Sequence, residues 1–137
     1  MLLNNPSREE IKEVLDNAKT IAVVGLSPNP NRTSYMVSEA MQKAGYRIIP
    51  VNPVADEVLG EKSYASLKDV PEPVDIVNVF RRSEFLEELA EEFTEIDCPV
   101  FWTQLNVVDD KVFKRLQEEG YTVIMDRCIK VEHAILK

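Results

Sequence analysis

The chain has no apolar run long enough to cross a bilayer, and only four of its 137 residues are glycine. The first absence excludes a membrane-spanning helix, which needs about 20 consecutive apolar residues. The second bears on nucleotide binding: the three spaced glycines of the dinucleotide fingerprint are missing, and Gly25 alone stands where they would lie. Histidine occurs once, at His133, and cysteine twice, at Cys98 and Cys128. That number rules out a disulfide scaffold and the spacings fit no metal site, so a reducing, cytoplasmic location is expected. A basic segment followed by an apolar stretch is absent from Met1-Leu2-Leu3-Asn4-Asn5-Pro6, so no signal peptide is expected. Basic residues are also in deficit. The net charge is −8, which argues against a nucleic-acid or anionic-membrane partner. A small anionic ligand would need a local cluster of donors.

Apolar residues make up 45% and charged residues 29% of the chain, ordinary for a globular protein. The length suits one domain spanning 1–137. Two periods alternate along it. Ser7 and Glu10 have the spacing of a capping box, and Ile11, Val14, Leu15 and Ala18 share the face of a first helix. Thr20-Ile21-Ala22-Val23-Val24-Gly25 reads as a strand buried on both sides. Ser34 is a candidate cap for a helix with Val37, Ala40, Met41 and Ala44 inward and Gly45 at its end. Residues 46–51 form a second strand, with Pro50 expected to shorten or distort it. Residues 52–73 look irregular, with a turn at Gly60 and one helical turn at 66–69. A strand at 74–80 follows, then a helix capped by Ser83 with Phe85, Leu86, Leu89, Ala90 and Phe93 inward. A strand at 99–102, a helix at 107–119 and a strand at 121–125 complete the alternation. The tail from Ile129 reads as a short helix.

This pattern predicts an α/β fold, a single Rossmann-like doubly wound parallel sheet with helices on both faces. Ligands of such sheets lie beyond the carboxyl ends of the strands, where strand order reverses. The reversal is expected between the first strand and strand 74–80. The loops to watch are 25–34, 52–54, 80–83 and 103–106.

The loop Gly25-Leu26-Ser27-Pro28-Asn29-Pro30-Asn31-Arg32-Thr33-Ser34 is the leading candidate site. Gly25 permits close approach to the backbone, and a helix N-terminus presents free N–H groups to an anion. Ser27, Thr33 and Ser34 add hydroxyls, and Arg32 adds a guanidinium fork. The second strand ends in Val51-Asn52-Pro53 with no acidic residue for a ribose 2′-hydroxyl. That counts against NAD and suits a ribose bearing an extra phosphate. Phe80-Arg81-Arg82 offers an aromatic face and guanidinium groups for a purine and a phosphate. Thr103, Gln104 and Asn106 can bond the amides of an extended ligand. Cys128, Glu132 and His133 sit together in sequence, but no orienting group marks them as catalytic, and Cys98 reads as a buried core thiol. The glutamates at 84, 87, 88, 91, 92 and 95 read as a solvated helix face rather than a metal site.

The segments Ile21–Ser27 with Arg32 and Ser34, Val51-Asn52-Pro53, Asp75–Arg81, Trp102 with Gln104-Leu105, and Asp126-Arg127-Cys128 with Glu132-His133 occur in this order. Together they resemble the single-domain CoA-binding proteins, similar to the CoA-binding domain of the succinyl-CoA synthetase α subunit. The resemblance implies coenzyme A or an acyl-CoA as ligand. By position, Gly25, Ser27, Arg32 and Ser34 would hold the pyrophosphate. Asn52-Pro53 and Phe80-Arg81 would border the adenosine 3′-phosphate and adenine, and Thr103 and Gln104 would line the pantetheine path. Val54 stands where members carry a basic residue, which leaves Arg81, Arg82 or Lys62 to meet the 3′-phosphate. The expectation is a binding, carrier or sensing module without catalysis. The alternatives are a small NAD(P)-type or CoA-dependent enzyme, and a regulatory subunit with a vestigial nucleotide pocket.

Overall fold

Ser7 and Glu10 cap each other as their spacing predicts. Ser7 Oγ accepts the Glu10 N–H at 3.2 Å, and the Glu10 carboxylate accepts the Ser7 N–H at 3.3 Å. Helix α1 (Arg8–Asn17) follows and buries Ile11 and Leu15. The computed structural model describes residues 4–137; Met1–Leu3 of the N-terminal segment lie outside the described residues. After α1 come β1 (Thr20–Val24), α2 (Thr33–Lys43) and β2 (Arg47–Val51). The short strands β3 (Glu57–Val58) and β4 (Glu61–Lys62) precede β5 (Ile76–Val79) and α3 (Leu86–Phe93). The chain ends with β6 (Val100–Thr103), α4 (Asp110–Glu118), β7 (Thr122–Ile124) and α5 (Ile129–Leu136).

Five strands form one parallel sheet in the order β2-β1-β5-β6-β7. Strand order therefore reverses between β1 and β5, where the alternating pattern placed it. The apolar run of β1 serves both faces. Ala22 and Val24 pack with Leu86, Leu89 and Phe93 of α3 and Phe113 of α4. Ile21 and Val23 pack with Ile11 of α1, Val37 and Met41 of α2, and Ile129 of α5. A strand with helices on both sides has no solvent face, so it carries no polar alternation.

Several local expectations change. Pro50 does not distort β2: it pairs in regular register with Val23. Its carbonyl accepts the Tyr64 N–H on the outer edge, the side on which its own missing N–H would point. Helix α2 begins at Thr33 with Arg32 at its N-cap, so Ser34 lies inside the first turn. Ala44, expected inward, is exposed. Residues 52–73 contain the β3–β4 hairpin, turned by Leu59 and Gly60 at φ 56° and 78°. A 3₁₀ turn over Ser83–Phe85 precedes α3 and rotates Phe85 out of the core. Helix α4 starts at Asp110, not at 107, because the Asp109 carboxylate accepts the N–H groups of Lys111 and Val112.

Candidate functional site

Gly25 occupies the point of reversal. Its N–H donates to Val51 O on one side, while the Phe80 N–H donates to Val24 O on the other, both at 2.9 Å. Its φ is +85°, and a Cβ there would lie 2.7 Å from Phe80 O and 3.3 Å from Arg81 Cγ. Only glycine satisfies both the conformation and the space. Asn52 sets the loop behind it. Its Nδ2 donates to Leu26 O and its Oδ1 accepts the Val54 N–H, both at 2.9 Å.

The loop 25–34 is laced by its own short side chains. Ser34 Oγ accepts the Ser27 N–H at 3.0 Å, Ser27 Oγ accepts the Asn29 N–H at 3.0 Å, and Asn29 Oδ1 accepts the Asn31 N–H at 2.9 Å. The buried Ser34 thus braces the loop rather than capping α2. Both serines keep an O–H to donate. The N–H groups of Thr33 and Ser34 have no partner among the described residues. The first turn of α2 carries no acidic side chain, so its positive end is not neutralised from within.

Arg81 stands between two hollows. Its stem lies over Gly25, and its guanidinium sits 4.3 Å from the centre of the Phe85 ring, a cation–π contact. On one side is a cavity of about 230 Å³ bordered by Gly25, Asn52, Pro53, Ser66, Arg81 and Glu92. On the other is an open groove of about 690 Å³ bordered by Thr33, Phe80, Arg81, Gln104, Leu105 and Asn106. Gln104 is 9% exposed, and its Oε1 is buried with no hydrogen-bond partner. A buried acceptor without a partner is unusual.

Of the ligand candidates singled out from sequence, Gly25, Asn52 and Pro53 line the cavity, Thr33, Phe80, Arg82, Gln104 and Asn106 line the groove, and Arg81 lines both. Arg32 is exposed on the loop and forms no ion pair among the described residues. Thr103 does not reach the groove. It is fully buried, its hydroxyl donates to Val107 O at 2.5 Å, and its Oγ1 accepts the Asp126 N–H at 3.3 Å. Arg82 is paired to Glu84 at 3.4 Å. The Lys62 ammonium lies 5.3 Å from the Tyr64 ring centre. Glu92 departs from its expected solvated face: it is half-buried, lines the smaller cavity and accepts the Leu67 N–H.

Asn106 and Asp126, at φ 68° and 61°, tie the turns after β6 and β7 together, with Asp126 Oδ1 accepting the Asn106 N–H at 2.7 Å. Their residue types are the signal that could have found them, since Asn and Asp tolerate this conformation best. Cys128 and His133 make different contacts. His133 packs edge-on against Tyr46 at 5.7 Å, before the amino end of β2, while Cys128 occupies the N-cap position of α5 without a side-chain capping bond. Cys98 is buried, and burial pushes its thiol up to about 12. Among the described residues no three His, Cys, Asp or Glu side chains are placed to hold a metal, and no helix is long and apolar enough to cross a membrane.

The profile of a family described as CoA binding domain matches residues 19–134. An uncharacterized protein of Bacillus subtilis (strain 168), YneT, is 61% identical over 135 residues, covering 98% of this chain and all of the relative. The acetate–CoA ligase [ADP-forming] II subunit alpha of Pyrococcus furiosus is 30% identical over 105 residues. That match covers 76% of this chain but 22% of the ligase subunit, so the chain corresponds to a part of it. A solved structure from Thermus thermophilus superposes with a TM-score of 0.92 at 37% identity, covering 96% of this chain and all of that one.

Proposed function

We propose that this chain, which belongs to the CoA-binding domain family, binds coenzyme A or an acyl-CoA across the carboxyl ends of β1 and β5 and carries out no chemistry on it. The observation that carries the reading is Arg81, a guanidinium shared by two adjoining hollows at the strand reversal. A ligand with a base at one end, phosphates in the middle and an amide-rich arm at the other matches that division. The open N–H groups of Thr33 and Ser34, with the Arg32 and Arg81 side chains, supply donors for a pyrophosphate. The smaller cavity suits the adenosine. Gln104 lines the groove, and its amide can pair with an arm that brings N–H donors, as pantetheine does.

This donor cluster is local and works against a chain of net charge −8. Arg32 and Arg81 are exposed and carry no competing carboxylate among the described residues. His133 packs on Tyr46 and Cys128 lies at the start of α5, and neither lines the two hollows, which supports a role in carrying or sensing the ligand rather than transforming it. Two free thiols support a cytoplasmic setting.

Backbone amide mapping by NMR tests this reading. Addition of CoA should shift the resonances of Gly25, Ser27, Thr33, Ser34, Arg81 and Gln104 while leaving His133 and Lys137 unmoved. Shifts confined to the amino ends of the strands would refute it.

A further inference from the structure

The lining of the smaller cavity includes one residue of each charge, Arg81 and Glu92. Arg81 is exposed and also borders the groove, whereas Glu92 is half-buried. One Glu92 oxygen is held by the Leu67 N–H, which fixes the carboxylate against the 3₁₀ turn Leu67–Asp69. The other has no partner among the described residues, and no ion pair joins it to Arg81. The remaining wall is small or uncharged, with Pro53, Ala65, Ser66 and Leu89. At about 230 Å³, the space falls below the ~300–1,000 Å³ of a site for a whole drug-sized molecule. It suits one flat ring system.

A carboxylate accepts hydrogen bonds and donates none, and it repels a phosphate. The group that enters next to Glu92 must therefore be a donor, and the phosphates must remain on the Arg81 side. We propose that this cavity receives a purine base bearing an exocyclic amino group, and that Glu92 selects the base by accepting the amino N–H. The proposal rests on reading the site as a CoA site, because the adenine of CoA is such a base. Glu92 is then a specificity-determining residue, and nothing in its surface-like charge pattern announces it. A base with a carbonyl in place of the amine would set two acceptors against each other.

The test is calorimetric titration of the full chain with CoA and with CoA whose adenine has been deaminated to hypoxanthine. CoA should bind at least about tenfold more tightly, the scale of one charge-assisted hydrogen bond. In Glu92→Gln the carboxamide oxygen can keep the Leu67 contact and turn its NH₂ toward the base. The preference should then vanish or invert. Equal binding of the two ligands by the unaltered protein would overturn the proposal and leave the CoA site standing. An unchanged preference in a folded Glu92→Gln protein would also overturn it. If that variant does not fold, Glu92→Asp should narrow the preference by withdrawing the carboxylate, and an unaltered ratio there would count the same way. No binding of CoA by the unaltered protein would bring down the site assignment itself.

Discussion

Gly25→Ala perturbs the sheet and the site together. The alanine Cβ would lie 2.7 Å from Phe80 O, 3.2 Å from Phe80 C and 3.3 Å from Arg81 Cγ, on a backbone held at φ +85°. The left-handed conformation costs an L-residue about 1–2 kcal/mol. Relieving the overlap with a backbone carbonyl adds about 1–3 kcal/mol, as for other overpacked positions. Phe80 cannot retreat freely, because its N–H donates to Val24 O at 2.9 Å. Together the two effects predict a loss of about 2–5 kcal/mol, a large share of the ~5–15 kcal/mol of a typical domain. Urea unfolding followed by far-UV circular dichroism measures it. The midpoint should fall with the slope unchanged. A shift of less than ~0.5 kcal/mol, the scale of an ordinary surface change, would refute the claim that this position demands glycine. CoA affinity should fall as well in the folded variant, since relief of the overlap moves Arg81.

Three further outcomes follow from the same geometry. Arg32→Ala should weaken CoA binding by about 1.5–3 kcal/mol, the range for a hydrogen bond to a charged group, while the urea midpoint stays put because Arg32 is exposed and unpaired. Asn52→Ala removes both side-chain bonds that hold Leu26 and Val54; denaturant unfolding should show a loss of about 1–3 kcal/mol, with a weaker CoA complex in calorimetry. Cys98 holds its proton more tightly folded than unfolded, since burial raises its thiol from 9.0 to about 12. Its contribution is therefore complete below pH 9 and lost as pH rises from 9 toward 12. Stability should fall there by up to ~1.4 kcal/mol per pH unit from this group, and Cys98→Ala should flatten that limb of the pH–stability curve.

The parallel sheet was legible because its strands are buried on both faces and leave uninterrupted apolar runs, and because Gly45 and Gly120 end the helices α2 and α4. The strand reversal, and with it Gly25, Asn52, Phe80, Arg81 and Gln104, followed from that alternation. What escaped the sequence depended on where single side chains find their partners. Ser34 has the right type and place to cap α2, yet its oxygen binds the Ser27 N–H, so the loop is held in place of the helix end. Phe85 falls in the apolar phase of α3, but the 3₁₀ turn before that helix changes the phase. It meets Arg81 instead. Thr103 matched the polar strand end, but its hydroxyl is taken by Val107 and Asp126. Glu92 belongs to a run of like charges that resembles a solvated face. Only the approach of Leu67, twenty-five residues away in the chain, sets it apart. The β3–β4 hairpin pairs just two residues on each side, too few to show a strand period.

The central claim is that the two hollows meeting at Arg81 form a coenzyme A site. Calorimetric titration of the protein with CoA, dephospho-CoA, NAD and NADP tests it most directly. CoA should bind most tightly, dephospho-CoA more weakly for want of the 3′-phosphate, and NAD weakest. NAD binding at least as tightly as CoA would contradict the account.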